Sequence, residues 1–312
     1  MLFSHIPEHS IYAMAAVFGV LITATIIQFI ISHKHPDKDY TELRQRTISW
    51  WWIIGLLFLF LGMGRTATIF FFAFISFLAL KEFLSIVSTR QADRHVVFWA
   101  YISIPLQYFW VSEGWYGMFI IFIPVYLFLF IPMRMVLIGE TEGFIKAAGI
   151  LHWAVMLTIF SVSHIAYLMI LPDGNPLAGS IGLVLYLLFL TQFNDVSQYI
   201  WGKLLGQHKI IPKVSPNKTW EGFLGGLLTV TLTAGFIAPY LTPMTQLQGF
   251  AAGIIISTGG FIGDVVISSV KRDLQIKDCG NLIPGHGGIL DRMDSLIYTA
   301  PLFFHFVYYL HY

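Results

Sequence analysis

The chain has 312 residues, of which 56% are apolar and 11% are charged, and its formal net charge is +1. Soluble domains usually carry about a quarter charged residues, so this composition excludes an ordinary cytosolic enzyme and a disordered protein. A protein that binds nucleic acid would need an excess of basic residues, so we expect no nucleic-acid partner. The single cysteine, Cys279, excludes an internal disulfide framework and a multi-cysteine metal site. The composition predicts a polytopic membrane protein with the lipid bilayer as its partner.

Apolar segments of the length that a bilayer requires recur along the whole chain. A membrane-spanning helix needs about 20 such residues, and the sequence predicts an all-α bundle of about ten of them. The count falls to nine if the second and third segments, which little more than Arg65 separates, are one misjudged pair instead of a tight hairpin. The first segment is not expected to be a cleaved signal peptide, because residues 1–10 lack a basic stretch. The predicted spans are 11–32, 49–64, 66–85, 96–111, 116–132, 150–171, 179–197, 223–241, 250–270 and 295–310.

The distribution of Lys and Arg predicts the orientation, because cytoplasmic connections of membrane proteins are enriched in basic residues. Of the 18 basic residues, 17 follow or flank the ends of the odd-numbered spans, and Arg65 alone lies on the other side. The basic side is therefore predicted to be cytoplasmic, with both termini on the opposite side. We expect an N-terminal transmembrane region over 1–171 and a C-terminal catalytic transmembrane region over 172–312, with cytoplasmic loops at 195–222 and 271–294.

Charged residues are concentrated in two of the predicted cytoplasmic segments. Residues 195–222 and 264–294 contain 15 of the 35 charged residues in less than a fifth of the chain. A connection of mixed charge can be simply a solvated loop, so density by itself does not identify a site. The identities of the residues carry more information.

Asp264 lies inside the otherwise apolar stretch from Ile254 to Val270. A carboxylate at the centre of a membrane helix costs about 2.5–3.5 kcal/mol on insertion scales, so such a residue is usually functional. The alternative is a structural aspartate that is hydrogen-bonded or reaches the membrane surface. On a helix, Ser268 and Lys271 share the face of Asp264. Small residues that favour close packing of a neighbouring helix lie beside this face: Gly259, Gly260 and Gly263.

The connection after this helix combines glycines with carboxylates and basic residues. Glycines on both sides of His286 permit close backbone approach and leave amides free to bind an anion. Asp291 and Asp294 are spaced to project from one face of the last helix, and carboxylate oxygens suit Mg²⁺ better than Zn²⁺. Carboxylates for a hard metal ion beside clustered cations are typical of phosphoryl or nucleotidyl transfer. The cations that would contact phosphate oxygens are Lys271, Arg272, Lys277 and Arg292.

The segment 194–222 adds a second set of polar residues. Asp195 is a candidate site residue and, with equal weight, a residue that ends a span. Lys218 and Thr219 are similar to phosphate-binding residues, but no glycine-rich loop with the P-loop spacing precedes them. Ser215 and the following proline predict a turn.

The run from 268 to 294 reads Ser-Ser-Val-Lys-Arg at 268–272, Lys-Asp at 277–278 and Pro-Gly-His-Gly-Gly-Ile-Leu-Asp-Arg-Met-Asp at 284–294. This pattern resembles the signature of the phosphatidate cytidylyltransferases, also called CDP-diacylglycerol synthases. Residues 215–222 and the pair Gly263-Asp264 are similar to further family motifs, and Ala-Leu-Lys-Glu-Phe at 79–83 is similar to a weaker one. A departure is Gln198, which stands where many members have Ala.

The resemblance implies transfer of a cytidylyl group from CTP to phosphatidate, giving CDP-diacylglycerol and pyrophosphate for phospholipid biosynthesis. It also implies Mg²⁺ with a second cation such as K⁺, a homodimer, and an active site that faces the cytoplasm in the bacterial inner membrane. Asp264, Asp278, Asp291 and Asp294 would be the metal carboxylates, and Lys271 and Arg272 would act with them in catalysis. The residues expected to bind the nucleotide are Lys218, Thr219, Lys277, His286, Arg292, Asp195, Lys203 and Ser215.

Two other functions stay open. One is a CTP-dependent enzyme that acts on another lipid phosphate or on a lipid alcohol. The other is a transporter with Asp264 as its ion-coupling carboxylate, although the run 268–294 then has no explanation and no inverted repeat is seen. In the cytidylyl transfer the attacking phosphate is already anionic, so no base is required. His286 is therefore expected to be structural or to contact phosphate.

Overall fold

The computed structural model describes residues 6–34, 39–87 and 90–312. Its helices follow the predicted spans in chain order, so that each of the ten predicted spans corresponds to a helix. Of the residues used to predict orientation, Lys38 lies outside the described residues. The long helices are α1 Glu8–Lys34, α2 Thr41–Met63, α3 Arg65–Ile86, α4 Arg94–Glu113, α5 Tyr116–Val136, α6 Phe144–Leu168, α7 Gly179–Leu205, α8 Trp220–Leu241, α9 Gln246–Asp273 and α11 Leu296–His311, and a short helix α10 Leu290–Met293 precedes the last.

Eight of these helices in the described residues are long and apolar enough to cross a membrane: α1, α2, α3, α5, α6, α7, α8 and α9. Helix α4 falls outside this set and contains Pro105 and the buried Gln107, and α11 has only 16 residues. Two helices contain wider π turns, at Phe122–Leu127 in α5 and Met156–Phe160 in α6. The prediction of an all-α polytopic membrane protein is confirmed.

Helices α2 and α3 are separate elements joined through one residue. Gly64 between them has φ 97, a conformation that residues with a side chain rarely adopt. The Thr68 hydroxyl on α3 donates to the carbonyl of Phe60 on α2 at 3.0 Å. Of the two alternatives that the sequence left open at this point, the structure shows the tight hairpin.

The loop predicted over 195–222 is wrong over its first part. Helix α7 continues through Asp195, Gly202 and Lys203 to Leu205, because neither isolated charged residues nor a single glycine breaks a helix. Gly206 caps its C-terminal end. The rest of the segment contains a short antiparallel hairpin of β1 Lys209–Ile211 and β2 Ser215–Thr219. Similarly, the first three residues of the loop predicted over 271–294 belong to α9, which ends at Asp273.

The C-terminal helices pack closely around one another. Helix α8 packs against both α7 and α9, and α11 packs against α9 and the second half of α6. The approach of α9 to the residues before α11 depends on Gly263, where a Cβ atom would lie 2.4 Å from the carbonyl oxygen of Asp294. The close packing predicted for this face of α9 is confirmed. The division of the chain at residue 171 stays a prediction.

The connections between helices form two groups. In one group, Arg90 after α3 donates from Nη1 to the carbonyl of Glu140 after α5, at 3.2 Å. In the other, His9 of α1 contacts the carbonyl of Tyr240 of α8 at 2.9 Å, and the hydroxyls of Tyr116 and Tyr309 lie 2.9 Å apart. The first described residues and the C terminus therefore lie at one end of the bundle, and the basic connections at the other, here called the polar end. That the polar end faces the cytoplasm stays a prediction.

Candidate functional site

A cavity of about 280 Å³ lies at the polar end of the bundle. It is lined almost wholly by ionisable side chains, which is unusual for a membrane protein because charges near lipid are costly. Seven of the predicted site residues line it, together with Gln192, which precedes Asp195 by three residues on α7. The lining residues are Gln192, Asp195, Asp264, Lys271, Asp278, Asp291, Arg292 and Asp294.

Five aspartates line this cavity, and the charges of three of them act on one another. Asp195 lies on α7, Asp264 on α9, and Asp294 directly after α10. The Ser295 hydroxyl donates to both oxygens of Asp195, at 3.0 and 3.2 Å. Burial, together with the negative charges of Asp264 and Asp195, holds the pKa of Asp294 well above its ordinary value. The three carboxylates repel one another, and a bound cation would offset that repulsion.

Lys218 enters the site from strand β2. Its Nζ lies 2.5 Å from Oδ2 of Asp264 and 3.4 Å from Oε1 of Gln198 on α7. The other oxygen of Asp264 accepts a hydrogen bond from the Ser268 hydroxyl at 3.3 Å, as the predicted shared helix face requires. The hairpin between α7 and α8 therefore places a cation beside the carboxylate on α9.

Asp291 is held on both of its oxygens. Its Oδ1 lies 2.8 Å from Nζ of Lys271, and its Oδ2 accepts from the backbone N–H groups of Cys279 at 2.7 Å and Gly288 at 3.0 Å. The side chain is only 4% exposed. Three donors occupy a carboxylate that the sequence assigns to the metal, so in this arrangement Asp291 orients Lys271 and anchors the connection between α9 and α10.

The same connection is held from outside by two helices of the N-terminal half. Oε2 and Oε1 of Glu82 on α3 accept hydrogen bonds from the backbone N–H groups of Ile289 at 3.0 Å and Leu290 at 2.8 Å. On α2, the hydroxyl of Ser49 donates to the carbonyl of Pro284 at 2.7 Å. Sequence reasoning noted Glu82 only within the weak resemblance at 79–83 and assigned it no role. Nothing in the local pattern could show that it contacts residues more than 200 positions away.

Three predicted basic residues lie on the exposed surface and do not line the cavity. Lys203 lies near the ring of Tyr199, with Nζ 5.9 Å from the ring centroid. Arg272 donates from Nε to the carbonyl of Val214 at 3.2 Å, and Lys277 lies in the connection after α9. Their proposed contacts with the nucleotide stay predictions.

Three further predicted residues have local roles near the site without lining the cavity. Thr219 is buried, and its hydroxyl caps the start of α8 by accepting from the N–H of Gly222 at 3.2 Å. Ser215 begins β2 and pairs with Ile211. Burial and the charges of Arg292 and Arg46 lower the pKa of His286 to about 4, so this imidazole is neutral at pH 7.

The donor set at the cavity fits a hard divalent cation. In the parts of the chain that the structure describes, no three His, Cys, Asp or Glu side chains are grouped so as to hold a metal ion by themselves. Mg²⁺ commonly takes one or two protein carboxylates and completes its shell with waters and substrate phosphates. The carboxylates of Asp264 and Asp294, with Asp195 in the same cavity, suit this mode. Nε of Arg292 is buried and has no hydrogen-bond partner among the described residues, so it is available to an anion.

The sequence is similar to one protein family and to several known proteins. Residues 44–310 match the profile of the cytidylyltransferase family. An uncharacterized protein of Escherichia coli strain K12, YnbB, is 43% identical over 95% of this chain and 98% of its own length. A phosphatidate cytidylyltransferase of Staphylococcus haemolyticus is 32% identical over 80% of this chain and 94% of its own length. That of Staphylococcus aureus strain COL is 42% identical over 38% of this chain and 46% of its own length.

Proposed function

The chain belongs to the cytidylyltransferase family, and we propose that it transfers the cytidylyl group of CTP to the phosphate of phosphatidate. The products are CDP-diacylglycerol and pyrophosphate. The observation that carries the proposal is the cavity at the polar end of a membrane bundle, where aspartates from three elements meet Lys271 and Arg292. The similarity to named phosphatidate cytidylyltransferases supports the choice of lipid. The family match favours an enzyme over an ion-coupled transporter.

The reaction is an in-line displacement at phosphorus. An oxygen of the lipid phosphate attacks the α-phosphorus of CTP, and the bond from that phosphorus to the bridging oxygen breaks, so that pyrophosphate leaves with the electron pair. The attacking oxygen is already anionic, and no side chain has to remove a proton from it. The neutral His286 is therefore not needed as a base, and the work of the protein is positioning and charge neutralisation.

Cationic side chains offset the charge that develops on the leaving pyrophosphate. Arg292 lines the cavity. Its buried Nε has no hydrogen-bond partner among the described residues. Lys271 is oriented by Asp291, and Lys218 by Asp264 and Gln198. Each of the two lysines is thus held by a neighbour before substrate binds, which reduces the entropy lost when it contacts a phosphate.

Asp264 and Asp294 would hold Mg²⁺. The negative charge of Asp195 nearby would add to the attraction for this cation. A bound Mg²⁺ supplies charge neutralisation and orientation of phosphate oxygens. Asp278 and Asp291, which line the same cavity, are further candidate ligands, and Asp291 would have to release Lys271 to bind the cation. A second cation such as K⁺ and a homodimer remain part of the proposal. So does a site open to the cytoplasm, at which a two-tailed lipid presents its head group without leaving the bilayer.

The test is an assay of the purified protein with CTP, Mg²⁺ and phosphatidate in mixed micelles. We expect release of pyrophosphate and formation of a CDP-lipid that mass spectrometry identifies. Asp294→Asn should abolish turnover, whereas the control Asp273→Asn, at the exposed end of α9, should not. A panel of other lipid phosphates and a lipid alcohol distinguishes the alternative substrates. Absence of any CDP-lipid across the panel would refute the proposal.

A further inference from the structure

Glu82 is a charged residue of the N-terminal half whose carboxylate, among the described residues, accepts hydrogen bonds only from the C-terminal half. It belongs to the last turn and a half of α3 and is partly buried. Within the described residues it forms no ion pair with Lys, Arg or His. Its charge is instead met by the N–H groups of Ile289 and Leu290, at 3.0 and 2.8 Å. A buried carboxylate needs such donors, because its desolvation is otherwise costly.

The connection between α9 and α10 is shaped around this carboxylate. A Cβ atom at Gly288 would lie less than 2.5 Å from both oxygens of Glu82, and one at Gly280 would lie 2.7 Å from Oε2. A side chain at either position would force the Glu82 carboxylate to move from this place. The two glycines therefore allow the backbone to approach Glu82 from both sides, and the local sequence and the distant glutamate fit each other.

The amides that Glu82 holds are adjacent in the chain to residues that line the cavity. Ile289 and Leu290 directly precede Asp291 and Arg292, both of which line it. The neighbouring Gly288 N–H donates to Asp291, which in turn pairs with Lys271. Loss of the Glu82 contacts would free the start of α10. Asp291 and Arg292 could then shift from their positions in the cavity.

We propose that Glu82 is a positioning residue for cytidylyl transfer: through the amides of Ile289 and Leu290 it fixes the connection that carries Asp291 and Arg292. This gives the N-terminal helices a role in the site, since the carboxylate comes from α3. The inference rests on the function proposed above. In this role Glu82 does not touch the substrate. A change at Glu82 should therefore lower the turnover rate and leave the binding of CTP almost unchanged.

The experiment compares Glu82→Ala and Glu82→Gln with the wild-type protein in detergent. We expect kcat to fall about 10- to 100-fold in Glu82→Ala, as a displacement near 1 Å would cause, while KM for CTP changes less than about threefold. Glu82→Gln should lie between, because its amide keeps one acceptor oxygen. Hydrogen–deuterium exchange of residues 279–290 should become at least about tenfold faster in Glu82→Ala. Glu113→Ala, exposed at the end of α4, is the matched control and should change neither quantity.

Unchanged exchange at 279–290, or kcat within twofold of the wild type, would overturn the inference. So would exchange that rises equally in all helices, since Glu82 would then support the fold generally. If the wild-type protein forms no CDP-lipid, the proposed function fails. The exchange measurement, which needs no substrate, then decides by itself whether Glu82 holds this connection.

Discussion

Replacing Gly263 by alanine tests whether the contact between α9 and the residues before α11 sets the position of Asp294. A Cβ atom at residue 263 would lie 2.4 Å from the carbonyl oxygen of Asp294 and 3.2 Å from Cα of Ser295. Ordinary contact begins at 3.4 Å, so the backbone at Asp294 would have to move by about 1 Å in a packed interior. Overpacking of this kind costs about 1–3 kcal/mol of folding free energy. A 1 Å displacement of a catalytic group can lower a rate about 10²-fold.

We therefore expect Gly263→Ala to lower kcat for pyrophosphate release by about 10- to 100-fold and to lower the unfolding temperature in detergent. The control is Gly149→Ala on α6, where a Cβ atom would meet nothing within 4 Å. There alanine should leave turnover unchanged and stabilise the helix by about 0.5–1 kcal/mol. Wild-type turnover in Gly263→Ala, or an equal loss in both variants, would refute the assignment of Asp294 to the site through this contact.

Three further outcomes follow from the contacts of single side chains. Lys218→Ala should abolish turnover because it removes the cation that pairs with Asp264. Lys213→Ala, exposed in the same hairpin, should retain turnover. Equal activities of the two variants would contradict the placement of Lys218. Lys271→Met should lower the free energy of unfolding by about 3 kcal/mol, since it leaves the buried Asp291 without its ion pair. Adding Asp291→Asn to this variant should restore part of the lost stability, which a double-mutant cycle measures. Burial raises the pKa of the Cys279 thiol to about 12. A maleimide at pH 8 should therefore label Cys279 only after the protein unfolds, as mass spectrometry can show. Rapid labelling of the folded protein would contradict the burial of Cys279.

The sequence allowed the helices to be predicted because each one must satisfy its backbone within a continuous apolar segment. Each of the ten predicted spans contains a helix. The sequence left open whether the segments on either side of Arg65 are two helices, and the structure separates them at Gly64. The loop boundaries were less predictable. Helix α7 extends to Leu205 although Asp195 and Lys203 are polar, because a charged residue at the membrane surface can remain helical. The end of a helix depends on what its last turn contacts, and local composition does not contain that information.

Half of the fourteen predicted site residues meet at one cavity, because clustered carboxylates and cations at the ends of apolar segments have few structural explanations. Their individual contacts were not predictable. Which lysine pairs with Asp264 and which with Asp291 depends on the hairpin at 209–219 and on the path of the connection after α9. Both depend on packing between segments far apart in the chain.

By itself the sequence determined that this protein lies in a membrane as a helical bundle, that its charges gather in two segments, and that these segments resemble a cytidylyltransferase signature. Those features depend on local hydrophobicity and residue identity. The tertiary structure decided that Asp195, Asp264 and Asp294 face one cavity and that Asp291 is occupied by Lys271 and two amides. It also decided that Glu82 supports the connection from the other half of the chain. Such contacts join residues up to 208 positions apart, and only the packing of the helices brings those residues together.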